Sequence, residues 1–553
     1  MRHPSARRQR RLAPLAVALV TLALVAAACG NKEEKSTSGG STGGAAKQGG
    51  TFRLGIVEPT AIDPYNSQES EGQLVTKVLF EGLVRIDNKT SDIVPGVAER
   101  WDHNPDCTQW TFHLRPGTKF SNGEVVTARS FIDGMNRSAA KDAASDTAHF
   151  MSDIDGYDAV HGGTAPTMSG LTAPDDNTLV VKLSQPNCEF DKKTLQPVFS
   201  PVPMEAGKAD PNSAYYNMPI GNGPFKMKEP WQHNTRITLV RNDLYYGTKA
   251  HLDEVDVTIL PAENAQELEY KNFQAGQAEW ARIPPTLQPQ AKATYEPQHE
   301  WIAEPKFGIN YLLVNVVNPP LNNVKARQAI SLAIDRDAVI EGVFKGLQTK
   351  ATSLVSPALH AYYQPGVCGT CDKPDPARAK QLALEGGMPP GTRLNFLFNT
   401  GGGHEAWVQA VAQQLRDTLG LDVNLQGIPF KELLTREKAD DASGLFRAAW
   451  TADYPSADAF LRPLLSKASL PPGDNRGRYV NDRFDSLLDQ ASRTSDGNQR
   501  ISYIKEAERI AIGDDQALIP LWYRTQYRVF SNRFKNVDMD FFENPTLADI
   551  SLA

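Results

Sequence analysis

The sequence alternates short apolar segments typical of strands with amphipathic segments typical of helices, and this alternation limits the fold classes that the chain can adopt. Apolar residues that alternate with polar ones and are rich in β-branched types predict strands at Gly50–Ile56, Trp110–Leu114, Thr178–Leu183 and Arg236–Val240. No internal repeat of roughly 20 to 50 residues is visible, which argues against a solenoid or a propeller. The pattern therefore predicts a mixed α/β or α+β protein.

Helical spacing of apolar residues predicts helices over Gln73–Gly82 and Val324–Ile340, with a strand over Phe307–Val316 before the second helix. A βαβ run follows, and we expect it to form part of a lobe of its own. Its predicted parts are the strand Leu394–Phe398, the turn Gly401-Gly402-Gly403, the helix Glu405–Leu419 and the strand Leu421–Leu425. The triple glycine fits a plain strand-to-helix turn better than a phosphate cradle.

The first 28 residues have the layout of a bacterial secretory signal. Five arginines precede an apolar run from Leu12 to Ala28, and Cys29 follows three alanines. This pattern predicts cleavage before Cys29 and attachment of lipid to its thiol, which places the protein outside the cytoplasm and on the cell membrane. An uncleaved membrane anchor remains the alternative, and the export route, general secretory or twin-arginine, stays open.

Residues 29–50 are rich in glycine, serine and threonine, which predicts a flexible tether with a reach of roughly 25 Å. Loss of the signal would remove five arginines and lower the formal charge from −7 to about −12. Such an acidic body argues against nucleic acid as a partner. The remaining residues exceed what one hydrophobic core usually serves, so two or three lobes are expected.

Four cysteines remain after lipid attachment, and an even number in an oxidising compartment predicts disulfides. Cys368 and Cys371 form a CxxC in a stretch with Pro365, Gly366 and Pro374, which indicates an exposed loop with a local disulfide. Zinc would need a second ligand pair, which the sequence does not offer, so no metal site is expected. Cys107 and Cys188 would then pair with each other.

A search for catalytic motifs finds no nucleophile elbow, zinc-protease helix, Walker loop or calcium loop. The segment from Ala98 to Ala128 is distinctive instead, with Ala98-Glu99-Arg100-Trp101, a run from Trp110 to Gly123, and Val126-Thr127-Ala128. It resembles the signature of the oligopeptide- and dipeptide-binding family, the substrate-binding components of peptide ABC importers. Further matching pieces, in the family's order, are Leu79–Leu83, Ser200–Pro203, Gly221–Phe225, Asn322–Arg336 and Trp450–Tyr454.

The resemblance implies a two-lobe clamp of the periplasmic-binding-protein type with an extra subdomain in the first lobe. The implied domains are the signal peptide (1–28), the anchor and tether (29–50), lobe I (51–302) with the extra subdomain at about 91–205, lobe II (303–524), and a return to lobe I (525–553). It further implies a non-enzymatic, monomeric lipoprotein that needs no cofactor, captures oligopeptides between its lobes and delivers them to ABC permease subunits.

The resemblance also implies the ligand contacts. Asp453 matches the carboxylate that binds the peptide's α-ammonium, while Arg447 and His404 match groups used toward the ligand's carboxylate. The other implied ligand-proximal residues are Gln68, Glu69, Ser70, Trp450, Tyr454, Trp522 and Tyr523. Asn318 stands where relatives often have a lysine, and Thr451 stands at a cysteine position of an inter-strand disulfide found in some relatives.

Other functions stay open at this stage. The same fold serves relatives that bind nickel chelates, haem or oligosaccharides. A secreted hydrolase, or a signalling receptor or adhesin without an import partner, is a more distant alternative.

Overall fold

The computed structural model describes residues 47–540 and 542–553. The predicted signal peptide, the lipid attachment at Cys29 and nearly all of the predicted tether lie outside the described residues. Within these ranges, no helix combines the length and the apolar character that crossing a membrane requires.

The strands follow one another in pairs and short runs along the chain. In chain order they are β1 (Thr51–Val57), β2 (Val84–Ile86), β3 (Ile93–Pro95), β4 (Ala98–His103), β5 (Gln109–Leu114), β6 (Leu171–Asp175), β7 (Thr178–Lys182), β8 (Phe225–Met227), β9 (Arg236–Arg241), β10 (Glu254–Leu260), β11 (Trp280–Arg282), β12 (Trp301–Val314), β13 (Thr349–Lys350), β14 (Arg393–Asn399), β15 (Asp422–Ile428), β16 (Leu445–Thr451), β17 (Ile519–Phe530), β18 (Phe534–Lys535) and β19 (Ser551–Leu552).

Helices cover the faces of the sheets. They are α1 (Ser70–Leu79), α2 (Ala128–Ala139), α3 (Tyr157–His161), α4 (Phe190–Lys193), α5 (Ala214–Asn217), α6 (Ala265–Gln274), α7 (Gln288–Tyr295), α8 (Val324–Ala333), α9 (Arg336–Gly342), α10 (Pro376–Glu385), α11 (Glu405–Leu419), α12 (Phe430–Lys438), α13 (Asp458–Leu465), α14 (Asp482–Ser492) and α15 (Gly497–Glu508), which a π-helical turn extends over Arg509–Asp514.

Three larger sheets organise these elements. One has the order β1-β10-β9-β8, with β1 parallel to β10, and another is the antiparallel sheet β4-β5-β7-β6. The seven-stranded sheet has the order β11-β17-β12-β16-β14-β15, and β13 also pairs with β17. The β14-α11-β15 run has parallel strands as the sequence predicted, and the mixed helix and sheet content confirms the predicted fold class.

Both described ends of the protein build one core. β1 contributes Phe52 and Leu54, and the C-terminal segment contributes Phe534, Met539 and Ile550 to the same cluster. A second core lies under the β4-β5-β7-β6 sheet, and two more cover the opposite faces of the seven-stranded sheet. Because burial of apolar surface dominates folding free energy, each core marks a separately packed layer.

The strands β12 and β17 are the longest, and their pairing is interrupted midway. Pro305 pairs with Thr525 and Ile309 with Tyr523, so three residues of β12 stand opposite the single residue Arg524. Such a bulge bends the strands and re-aims side chains. It lies next to the predicted lobe boundaries at 302 and 524.

Two helix predictions need correction. The first helix begins at Ser70 and ends at Leu79, because Glu81 leaves the helical path to exchange backbone hydrogen bonds with the side chain of buried Asn222. The predicted helix Val324–Ile340 is two helices, since the side chain of Asp335 accepts a hydrogen bond from the Ala338 amide and starts α9 afresh.

Both predicted disulfides are present, Cys107–Cys188 and Cys368–Cys371. The expectation of an exposed CxxC loop was wrong for the sulfur atoms, because both cysteines are only 1% exposed. Cys371 packs beside the buried guanidinium of Arg336, whose Nη2 donates to its sulfur at 3.2 Å. The loop's glycines face solvent while its cysteines join the core.

Candidate functional site

Asp453 lies two residues beyond the end of β16, and its carboxylate makes no hydrogen bond or ion pair with any described residue. Its backbone oxygen accepts a hydrogen bond from the Gln196 side chain, which comes from the predicted extra subdomain. Water reaches the side chain, while desolvation by the surrounding protein raises the pKa of the carboxyl and nearby His149 opposes that shift. An unpaired carboxylate is therefore held in place through its main chain.

Arg447 lies within β16, between β12 and β14, and is half-buried. Its Nε is buried without a hydrogen-bond partner, and the guanidinium has no ion pair among the described residues. Desolvation lowers its pKa, with Arg524 acting in the same direction and Glu437 in the opposite one. Since an unsatisfied buried donor costs free energy, a partner from outside the chain would stabilise this position.

His404 immediately precedes α11 and is half-buried. Its Nδ1 accepts a hydrogen bond from the Trp407 indole at 3.2 Å, which places the ring proton on Nε2. Desolvation, followed by the charge of Arg447, lowers the pKa of His404 to about 4. At neutral pH this histidine thus offers a neutral N–H donor, not the positive charge that pairing with a carboxylate suggests.

The triple glycine shapes the space around His404. A Cβ on Gly402 would stand 2.6 Å from His404 Nε2 and 2.7 Å from Asn399 Nδ2, so only glycine leaves both groups their present positions. Asn399 ends β14, and its Oδ1 is buried without a partner. Sequence reasoning missed Asn399, although its place at the carboxyl end of a parallel strand is a known signal for ligand contact.

Gln68 and Glu69 end the loop that precedes α1, and Ser70 is the first residue of that helix. Glu69 Oε1 accepts a hydrogen bond from the Thr60 amide at 2.7 Å, whereas the side chains of Gln68 and Ser70 are exposed. A buried bidentate ion pair between Asp63 and Arg137, at 2.6 and 2.7 Å, braces the preceding loop. This loop is therefore rigid enough to present polar groups to a ligand.

Four predicted aromatic residues have different environments. Trp450 lies on the face of β16 opposite Arg447 and donates its indole N–H to Ala459 O at 2.8 Å, and Tyr454 is half-buried against the same core. Trp522 and Tyr523 are 2% and 0% exposed. Such burial argues against the predicted ligand contact for this pair and makes them supports of the neighbouring strands.

Three predicted side chains thus form two groups at the seven-stranded sheet, with His404 near Arg447 and Asp453 apart from them. Arg447 and His404 are close enough for the charge of one to shift the pKa of the other. Asp453 stands farther along the same chain segment, two residues past the end of β16, so it does not share a strand face with Arg447. The register also places Thr451 opposite Gly308, so no inter-strand disulfide forms at Thr451 in this chain.

Comparison with known proteins matches this architecture closely. The family model "Bacterial extracellular solute-binding proteins, family 5 Middle" matches residues 92–471, more than half of the chain. The periplasmic oligopeptide-binding protein of Salmonella typhimurium is 31% identical over 483 residues, which cover 85% of this chain and 86% of that protein.

Among solved structures, the unliganded open form of a periplasmic murein tripeptide-binding protein is similar, with a TM-score of 0.79 and 26% identity over 92% of this chain and 98% of that one. A structure of the Escherichia coli murein tripeptide-binding protein has a TM-score of 0.67 and 27% identity, over 92% and 99% of the two chains.

Proposed function

Because the chain belongs to family 5 of the bacterial extracellular solute-binding proteins, we propose that it captures oligopeptides between two lobes and delivers them to the permease subunits of an ABC importer. One observation supports this most strongly. A carboxylate at Asp453 and a guanidinium at Arg447 both lack a charged partner in the described chain. A peptide carries one charge of each sign at its two ends, and would pair with both.

The two ends would be recognised by different chemistry. The peptide's α-ammonium would bind Asp453, while its carboxylate would receive hydrogen bonds from Arg447 and from the neutral Nε2–H of His404. Between them, the main chain of the peptide would lie along the segment that continues β16, as an added strand. Recognition of the main chain leaves room for varied side chains.

Closure of the lobes would complete the site. The similarity to an unliganded open form supports a ligand-free arrangement, and the bulge around Arg524 in β12 and β17 supplies the place where the connecting strands bend. Closure would remove water from Asp453 and Arg447 and so strengthen both ion pairs.

Binding without catalysis is part of the proposal. Among the described residues, none of the site's side chains forms a hydrogen-bonded pair of nucleophile and base, because His404 is engaged by an indole. The relative from Salmonella typhimurium is likewise named for binding.

We further propose that the protein is a monomer held at the outer face of the membrane by lipid on Cys29, with residues 30–50 as its tether. A tethered receptor gains a high effective concentration near its permease. Cys29→Ala should leave peptide binding intact and reduce import by whole cells. Unchanged import with the variant still on the membrane would contradict the lipid anchor.

Titration calorimetry tests the proposed ligand. The full chain, purified from detergent-solubilised membranes, is titrated with pooled peptides of two to eight residues. We expect saturable binding by at least one pool. Absence of binding by every pool, or a non-peptide ligand found by native mass spectrometry in the protein as isolated, would contradict the proposal.

A further inference from the structure

Arg524 occupies the bulge between the two long strands. It is the single residue of β17 that faces three residues of β12, between the pairs Pro305–Thr525 and Ile309–Tyr523. The buried residues Trp522 and Tyr523 precede it and fix the strand in the core. A bulge at this point directs the Arg524 side chain out of the regular alternation, toward the end of β16.

A glycine makes this path possible. A Cβ on Gly308 would stand 2.7 Å from Arg524 Cδ and 3.1 Å from Thr451 Oγ1, so the arginine crosses the strand where no other side chain fits. Arg524 Nη1 then donates to Thr451 Oγ1 at 2.7 Å. Thr451 is two residues before Asp453, which sets their Cα atoms at most roughly 7 Å apart.

Arg524 also lines a cavity of about 290 Å³ that extends to Ser70 at the start of α1. Three carboxylates and three guanidiniums line this cavity, and the carboxylates are engaged by the other two arginines. Arg282 pairs with Glu269 and with Glu71, and Arg528 lies 3.8 Å from Glu543. Arg524 has only the neutral hydroxyl of Thr451 among the described residues.

A second cation lies near it. The charge of Arg524 acts to lower the pKa of Arg447, after the larger effects of burial, which lowers that pKa, and of Glu437, which raises it, so the two guanidiniums repel each other. The C-terminal carboxylate of a peptide would compensate Arg447 alone. A further negative group on the ligand would compensate Arg524.

We propose that Arg524 is a specificity-determining residue that binds a side-chain carboxylate of the ligand, so that peptides with an aspartate or glutamate near their amino end are preferred. This inference rests on the proposed peptide-binding function. Its hydrogen bond to Thr451, two residues before Asp453, assigns the acidic residue to the amino-terminal part of the peptide, next to the ammonium bound by Asp453.

Matched peptides test this preference. Tetra-alanine with glutamate or glutamine at position 1, 2 or 3 is titrated into the full chain and into two variants, Arg524→Gln and Arg524→Lys. In the unmodified protein we expect glutamate to be preferred over glutamine by about tenfold at one position, the size of a charge-assisted hydrogen bond. Arg524→Gln should bring that ratio close to one, and Arg524→Lys should keep part of it.

Arg129→Gln is the matched control, because Arg129 is exposed on α2 and, within the described part of the chain, pairs with Asp133 alone. It should keep the glutamate preference unchanged. Equal binding of glutamate and glutamine peptides by the unmodified protein, or an undiminished preference in Arg524→Gln, would overturn the inference and leave peptide binding standing. Failure of every peptide to bind would contradict the proposed function as well.

Discussion

Two groups of charged residues in this protein differ in whether folding supplies them with hydrogen-bond partners. Glu189 is buried and its carboxylate accepts hydrogen bonds from Lys192, at 2.6 Å, and from the hydroxyls of Tyr362 and Ser456. Burial alone would raise its pKa, but Lys192 and these hydrogen bonds lower the pKa to about 2. Asp453, by contrast, has no partner for its carboxylate, and Arg447 has none for its buried Nε.

The difference separates charges that are paired within the chain from charges that have no partner among the described residues. Glu189, Tyr362 and Ser456 are far apart in the sequence, so the saturated cluster connects distant segments of the chain. Partner groups within the chain make it independent of any ligand. Arg447 and Asp453 lack such groups, which is why we assign binding to them and a structural role to Glu189.

The largest effect is expected for Glu189→Ala. The change leaves the nearly buried ammonium of Lys192 without its carboxylate, which should lower the free energy of unfolding by about 3 to 5 kcal/mol. Urea denaturation at pH 7 measures this loss. Glu432→Ala, which breaks an exposed pair with Arg436, is the control and should cost at most about 1 kcal/mol.

The direction of the Glu189 pKa shift determines how the stability of the protein changes with pH. Because the folded-state pKa of Glu189 is lowered to about 2, its stabilising contribution is complete above pH 4.5 and is lost as the pH falls toward 2. Glu189→Ala should therefore lose less stability than the unmodified protein over this range. Parallel losses in the two proteins would contradict the structural role.

Asp453→Asn should act on binding and not on folding. Since the ammonium would lose its charged partner in a closed cleft, we expect peptides with a free amino terminus to bind about 2 kcal/mol or more weakly. Acetylated peptides should lose much less. Calorimetry with both peptide forms measures the difference, and equal losses would refute the assigned role of Asp453.

Arg447→Gln tests the other end of the ligand. Loss of the guanidinium should weaken peptides with a free carboxylate by about 1.5 kcal/mol or more, and C-terminally amidated peptides less. Removal of an unsatisfied buried donor should leave the stability of the ligand-free protein unchanged within about 1 kcal/mol. If Arg447→Gln strongly destabilised the ligand-free protein and weakened both peptide forms equally, the role of Arg447 would be structural.

The smallest effect concerns His404. Its folded-state pKa of about 4 is below the ordinary value of 6.5, so the unfolded chain binds a proton first and folding stability declines as the pH falls through this window. His404→Gln should therefore reduce the stability lost between pH 7 and pH 5, measured by urea unfolding. Identical losses in both proteins would show that His404 is solvated like an ordinary histidine.

Much of the fold was predictable because local signals agreed with the final packing. The helix Glu405–Leu419 has its predicted bounds, and the strands around it differ by a few residues. Failures occurred where distant residues decided the backbone path. Asn222 ends α1 early from more than a hundred residues away, and the core takes up the sulfur atoms of a loop that glycine and proline indicate as exposed.

The candidate site likewise has features that the sequence predicts and features that depend on distant residues. Residue types and family resemblance identify Asp453, Arg447 and His404 as candidates, but not whether each has a partner. His404 loses its positive charge to burial and to a nearby arginine, and Trp522 and Tyr523 prove to be core residues. Desolvation depends on every neighbour in space, which a linear pattern does not contain.

The sequence by itself determined the fold class, the two disulfide pairs and the family. Hydrophobic periodicity, turn residues and the order of motifs depend on residues that are close in the sequence, so they can be read without the tertiary structure. Only the tertiary structure decided which charges are saturated and which are unpaired. Glu189 and Asp453 are both acids in loops or short helices of the same chain, and what distinguishes them is the set of groups that folding brings within hydrogen-bond distance.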